Sequence, residues 1–232
     1  MSVLVWDKSE DRRYESGVSK GVLFPKKTDG TDAYENGVAW SGLTGVTESP
    51  SGADVTDLWA DNIKYASLRA EETFGATIEA YTYPDEFEEC NGSTEAAEGV
   101  YIGQQKRRAF GFAYRTDIGI GEDSEAGYKL NLVYNATVSP SEKGYESRND
   151  SPDAVAMSWE VSTTSVSVAG HKPTAHITID STKVKDKTKL KELEDKLYGT
   201  TDAEPTLPSP DEVLLSLQQP KGYFFFTIFR DL

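Results

Sequence analysis

Few residues in this sequence could carry a reaction. Glu79 and Glu160 lie in the alternating segments "FGATIEAYTY" and "AVAMSWEVSTTSVSV", at positions that read as polar. A glycosidase needs only two carboxylates, so this pair defines an enzymatic alternative, although an acidic chain produces such pairs by composition alone. His171 and His176 flank a proline-containing turn, but no Cys or carboxylate pattern with ligand spacing accompanies them, and they read as turn or surface residues. Cys90 follows Asp85, Glu86, Glu88 and Glu89 in "DEFEEC", where negative charge raises a thiol pKa and leaves it passive. The run Asp29-Gly30-Thr31-Asp32 lacks the later oxygen positions and terminal Glu of a calcium loop. Gly119-Ile120-Gly121 lacks the third glycine of a dinucleotide loop, and no Gly-x-Ser-x-Gly is present. The sequence predicts no catalytic residue, no metal, no cofactor and no enzyme.

Charge narrows the partners. Asp and Glu outnumber Lys and Arg by 39 to 24 in 232 residues, for a net charge of -15. Proteins that grip nucleic acid neutralise phosphates with clustered cations, and here the short basic clusters are 106–108 and the acid-interleaved run 183–191. Tight DNA binding is not expected; passage of DNA past an acidic wall is compatible with this charge. One Cys permits no intrachain disulfide. "MSVLVWDKSEDRRYE" turns polar after six residues, and no apolar run approaches the ~20 residues of a membrane span. Synthesis and assembly in a cytoplasm, away from membranes, is the expectation.

The elements that position these residues are mostly strands. In "AFGFAYRT" Phe110, Phe112 and Tyr114 share one face; in "YKLNLVYNAT" Tyr128, Leu130, Leu132 and Tyr134 do the same. With the glycine-rich "DIGIGEDSEAG" between them, the two segments predict a hairpin whose large side chains face a common core. "FGATIEAYTY" puts Phe74, Ala76, Ile78 and Ala80 on one face. Val155, Met157, Trp159 and Val161 alternate in a strand that could exceed ten residues. "PDEFEEC" suits a short helix closed by Asn91-Gly92. "DKTKLKELEDKLYG" predicts a longer one, with a Leu190, Leu193, Leu197 stripe, a Glu192–Lys196 pair and a cap at Gly199. Ser209, Pro210 and Glu212 match a capping box that opens a last helix. The chain thus divides into a β-module at 1–199, a Pro-rich linker at 200–210, and a C-terminal helix plus apolar tail at 211–232.

One segment leaves this pattern. "GLTGVTESPSGADVTDLWADNIKYASL" reads as strand, irregular reach, strand, and Leu58 and Trp59 stand away from any clear strand face. An exposed Leu-Trp pair is costly unless something covers it, and a partner subunit is the cover this placement suggests. Trp59 with nearby tyrosines could instead form a carbohydrate platform, which makes a carbohydrate-binding or adhesin-like β-sandwich the binding-class alternative.

The stretches "GVAWSGLTGVTESPSGADVTDLWADNIKYASLRAEETFGATIEAYTYPDEF", "GVYIGQQKRRAFGFAYRT", "YKLNLVYNATVSPSEKGYESRNDSPDAVAMSWEVSTT" and "HITIDSTK" resemble the major tail (tail tube) proteins of long, non-contractile-tailed bacteriophages of Gram-positive hosts. The resemblance covers roughly residues 1–199. It implies a mainly β, sandwich- or barrel-like module with one flanking helix, a short helix and a long inter-strand loop. It also implies stacked homo-hexameric rings forming a channel for DNA passage, with tape-measure, tail-tip and tail-terminator proteins as partners in the virion tail. By position, residues 47–66 would be the inter-subunit loop, with Thr47, Ser49, Pro50, Asp54, Leu58, Trp59, Asn62 and Lys64 as contact candidates. Glu79, Asp117 and Glu160 are the candidates for facing the channel.

Overall fold

Alternation of apolar and small polar residues governs nearly every strand, and the computed structural model, which describes residues 3, 4, 6, 8, 12–145, 147 and 154–217, is mainly β. In chain order the elements are β1 (Arg13–Pro25), β2 (Val38–Trp40), β3 (Leu43–Glu48), β4 (Ser51–Gly52), β5 (Val55–Ala60), β6 (Ile63–Arg69), β7 (Glu72–Thr73), β8 (Gly75–Ala80), α1 (Phe87–Asn91), β9 (Thr94–Ala97), β10 (Val100–Ile102), β11 (Phe110–Ile120), β12 (Asp123–Val138), β13 (Met157–Thr163), β14 (His176–Asp180), α2 (Lys187–Tyr198) and α3 (Pro210–Leu217). The expected apolar tail after α3 lies outside the described residues.

The central sheet has eight strands in the order β2-β1-β11-β12-β13-β8-β3, with β14 also paired to β12. Its two end strands, β2 and β3, are consecutive in the chain, so the sheet curls until its ends meet at residues 41 and 42. Gly21 makes that closure possible: a Cβ there would run into the Leu43 side chain and crowd the Trp40 carbonyl. The Trp40 indole N–H, donating to the Thr82 carbonyl at 2.8 Å, ties the corner to the end of β8.

The curl creates an inside and an outside. Inside, Trp40, Phe110, Phe112, Tyr114, Trp159, Ile78 and Met157 pack with Phe87 and Cys90 of α1, which plugs one end. Outside, Leu130, Leu132, Tyr134 and Ile179 receive the Leu190, Leu193, Leu197 stripe of α2 and Val213 of α3. Phe110, Phe112 and Tyr114 therefore do not share a core with Tyr128, Leu130, Leu132 and Tyr134. Phe112 lies opposite Val133 and Ala113 opposite Leu132, which sends the two aromatic sets to opposite faces of the hairpin. The hairpin's connection is also shorter than expected, because β11 and β12 run on through "DIGI" and "DSEAG" and turn at Gly121 and Glu122.

β13 is likewise shorter than its alternation suggests. It ends at Thr163, whose hydroxyl donates to the Phe74 carbonyl, and the chain then doubles back so that Val166 bridges Thr174. The helix ends are as expected. Gly92 closes α1 at φ 87, and Ser209 and Glu212 exchange the two hydrogen bonds of the capping box. Asp186 adds an N-cap to α2, accepting from Thr188 N and Lys189 N. The Glu192–Lys196 spacing is bypassed, since Lys196 pairs with Glu212 of α3 and Lys191 with Asp195. The proline-rich stretch lies along the sheet: Leu207 is buried against Gly111, and the Tyr134 hydroxyl donates to the Pro208 carbonyl.

Candidate functional site

The irregular reach expected between β3 and β8 is instead a β-arm. β3 pairs with β8, β4 with β7, and β5 with β6, so residues 43–80 form one interrupted antiparallel hairpin. Its tip is a two-residue turn with φ 51 at Asp61 and φ 63 at Asn62, the doubly left-handed backbone whose twist suits flanking strands. Asp and Asn tolerate that backbone better than most side chains, and here the sequence did carry a signal: alternation on both sides of Asp61-Asn62. The corrected feature is therefore a projecting strand pair, not a loop over 47–66.

Register sorts the arm's residues. Asp57 lies opposite Ser67, Leu58 opposite Ala66, Thr56 opposite Leu68 and Ala60 opposite Ile63. One face thus carries Leu58, Ala60, Ile63, Ala66 and Leu68. The other carries Asp57 and Ser67 and, after a bulge, Trp59 opposite Lys64. Lys64 pairs with Asp57 at 2.8 Å while Ser67 donates to the same carboxylate, and these bonds hold Asp57 below the usual carboxylate range. Neither face is covered by another described element. Leu58 is 41%, Trp59 68%, Ile63 64%, Tyr65 75% and Leu68 57% exposed.

The other predicted contact residues distribute along the arm. Thr47 is in β3 opposite Thr77, Ser49 N donates to the Gly75 carbonyl, Pro50 is exposed, and the Asp54 carbonyl accepts from Ala70 N. At the base, the Tyr114 hydroxyl donates to Glu48 at 2.6 Å; burial, then this acceptor, pushes the phenol's pKa well above its ordinary value. His176 stacks on Phe74 with ring centroids 4.3 Å apart, and burial lowers its pKa more than Glu48 raises it. His176 is a strand residue of the arm's base, and His171 an exposed turn residue.

Beside the arm, the outer face of β3, β8 and β13 carries no second layer among the described residues. Ser158 lies opposite Glu79 and Glu160 opposite Thr77, which makes Glu79 and Glu160 diagonal neighbours on one exposed surface with Thr47, Ser162 and Thr137. A glycosidase pair would face a substrate cleft; these two stand on an open strand surface. Asp117 is elsewhere. It binds Arg115 at 2.9 Å, and Arg115 lies over the Tyr128 ring on the side that faces α2. Cys90 is buried at the plugged end with its pKa pushed up to about 12, chiefly by burial rather than by the acids before it.

Sequence reading missed two further features. β9 and β10 form a small hairpin with Val100, Tyr101 and Ile102 half exposed, signalled only by Glu98-Gly99. Arg108, from the basic cluster, is a clamp: it pairs with Glu35 and Glu89 and donates to the Lys26 carbonyl. No His/Cys/Asp/Glu group that could hold a metal occurs among the described residues, and no described helix is long and apolar enough to cross a membrane.

No protein-family model matches this sequence, and no curated protein matches it. Among solved structures, a chain of the PVC sheath/tube terminator, an extracellular contractile injection system in its extended state, is similar at 12% identity and a TM-score of 0.30. That match covers 72% of this chain and 97% of the other. A chain of the PVC sheath-tube complex in the extended state is similar at 11% identity and a TM-score of 0.29, over 69% and 88%.

Proposed function

We propose that this chain is a structural subunit of a bacteriophage tail tube. Copies join edge to edge into hexameric rings, the rings stack, and the arm of each subunit lies on a neighbour in its own ring or the next. The observation that carries this reading is the arm itself: a hydrogen-bonded strand pair whose Leu58, Trp59, Ile63, Tyr65 and Leu68 are exposed among the described residues. Uncovered apolar area of this kind marks a contact surface, and an aromatic anchor such as Trp59 suits its centre. A head-to-tail interface that closes makes a ring and leaves no strand edge open to stray pairing.

The uncovered face of β3, β8 and β13 supports a channel wall. Thr47, Thr77, Thr137, Ser158, Ser162, Glu79 and Glu160 include no cation, so a polyanion finds no phosphate contact there. Repulsion from Glu79 and Glu160 acts within a Debye length of ~8 Å and keeps DNA moving instead of bound. Asp117, on the helix side, takes no part in this wall. Tape-measure, tail-tip and tail-terminator proteins would be the partners, in a virion tail assembled in the host cytoplasm.

Electron microscopy of the concentrated full chain tests the proposal. Rings or tubes with a central channel are expected, and Leu58→Asp should leave folded monomers. Monomers alone under every condition, with tail-tip components included, would overturn it. The exposure of both Trp59 and Tyr65 favours the carbohydrate-binding alternative as the second reading. Glycan binding lost on Trp59→Ala, with assembly untouched, would select that one.

A further inference from the structure

The register of β8 puts the arm and a small polar cavity at opposite ends of the same strands. Leu43 and Met157 lie opposite Ala80, whereas Glu48 lies opposite Ala76 and Ser162 opposite Gly75. The arm leaves from the Glu48–Gly75 end and continues through β4 and β7 into β5 and β6. At the Ala80 end, Met157 and Trp159 border a cavity of about 170 Å³ whose polar lining includes Asn91, Arg107, Glu142 and Lys143.

Arg107 sets the character of this socket. Its side chain packs on Gly92, where an added Cβ would stand 3.3 Å from Arg107 Cγ and Cζ, so the guanidinium is held in place. Its Nε is buried without a hydrogen-bond partner, and no carboxylate among the described residues pairs with it. The next residue, Arg108, holds both Glu35 and Glu89. A buried donor left unpaired is costly, and a guanidinium matches a carboxylate two bonds at a time. Lys143, 5.8 Å from the centre of the Tyr83 ring, adds a second cation, so the lining is net positive even with Glu142 in it. At the arm's tip stands an acid to match. Asp61, first residue of the turn, is exposed and makes no ion pair among the described residues, whereas Asp57 is already held by Lys64 and Ser67.

We propose that the Asp61 carboxylate of one copy enters the Arg107–Lys143 socket of a second copy of this chain. This rests on the arm being an inter-subunit contact and names what the arm holds. Tip and socket lie at opposite ends of β8, so the contact is head to tail: each copy gives one arm and receives another, the repeating interface that rings and stacks require. The charge pair fixes where the tip lands, while the apolar face of the arm supplies the buried area.

Zero-length cross-linking of the full chain tests the contact. An equal mixture of isotopically light and heavy chains, treated with a carbodiimide, should give an Asp61–Lys143 amide that joins light to heavy. Lys143 coupled only to carboxylates of its own chain would overturn the proposal. Assembly thresholds supply the second reading. Asp61→Asn removes the charge and keeps a residue that tolerates the turn. It and Arg107→Gln should each raise the concentration needed for rings or tubes about tenfold or more. The double variant should be no worse than either single one, and penalties that multiply would show that the two groups do not meet. If Asp61→Asn assembles like the natural chain while Leu58→Asp does not, this contact is wrong and the tube reading stands. A natural chain that never assembles and gives no such cross-link removes both.

Discussion

The body strand β13 and the arm strand β5 are written in the same alternating code and meet opposite fates. In β13, Met157, Trp159 and Val161 are buried while Ser158, Glu160 and Ser162 face out. In β5, Thr56, Leu58 and Ala60 alternate with Val55, Asp57 and Trp59, and every residue from Val55 to Trp59 is exposed. The pattern says which residues share a side; only neighbouring elements decide whether that side is covered. α1 and the curl of the sheet cover the inner face of β13. Nothing among the described residues covers β5, so its apolar side chains stand exposed.

The sharpest way to break this contrast is to truncate one tryptophan from each region. Trp159 meets Tyr83, Phe87 and Trp40 at ring-centroid distances of 5.5, 5.2 and 5.6 Å. Trp159→Ala should cost about 3–5 kcal/mol in urea unfolding, through lost transfer energy and an unfilled cavity. Trp59→Ala should move the same midpoint by less than about 0.5 kcal/mol, while abolishing rings or tubes. Equal destabilisation by the two would mean the arm packs on its own body.

A smaller effect sits where the two regions join. Tyr114 rises from the inner core to bond Glu48, the last residue of β3. Tyr114→Phe keeps the ring and removes the donor, leaving a carboxylate without its partner at the base of the arm. A loss of about 1–3 kcal/mol is expected by denaturant titration. A loss near zero would show that water replaces the phenol and that the base is looser than its geometry.

Much of the body was legible because its strands and helices obey short-range rules. The leucine stripe of α2, the capping box at Ser209 and the glycine closing α1 each depend on residues within one or two turns of each other. The two-sided sheet was not legible: whether Phe112 and Leu132 share a core depends on register across a hairpin, which alternation within each strand leaves free. The arm was half legible. Its uncovered Leu58 and Trp59 were evident from composition, but the segment reads as irregular because β4 and β7 are two residues each and breaks separate them from β5 and β6. Glu79 and Glu160, each legible as a polar-phase strand residue, share one exposed surface of β8 and β13, whereas Asp117 lies on the other side of the sheet beside Arg115, a side that alternation alone does not specify.

The turn at the arm's tip offers a more local perturbation. Asn62 holds φ 63, a conformation that β-branched residues resist, so Asn62→Val should strain the hairpin by about 1–2 kcal/mol. Hydrogen exchange should speed up across β5 and β6 and nowhere in the body, with an unchanged body melting transition. Exchange spreading into β13 would show that arm and body fold as one unit and erase the distinction between them.

The finest test uses pH, because one titrating group touches both regions. His176 belongs to β14, yet its ring stacks on Phe74 just before β8 and lies near Glu48 at the end of β3, with the Thr178 hydroxyl 3.4 Å from Nε2. Burial holds its pKa below the ordinary value of 6.5, with Glu48 opposing. Just below pH 6.5 the unfolded chain therefore takes up a proton that the folded chain refuses, so stability falls as pH drops through that window and is fully present above it. His176→Phe keeps a ring to stack on Phe74 and removes the proton, so urea midpoints at pH 5.5 and 7.5 should differ less in the variant than in the natural chain. If Glu48 dominated instead, the imidazolium would be favoured in the fold, and the slope would carry the opposite sign. The direction of that slope thus reports whether the arm's base is a dry extension of the body or already part of the exposed arm.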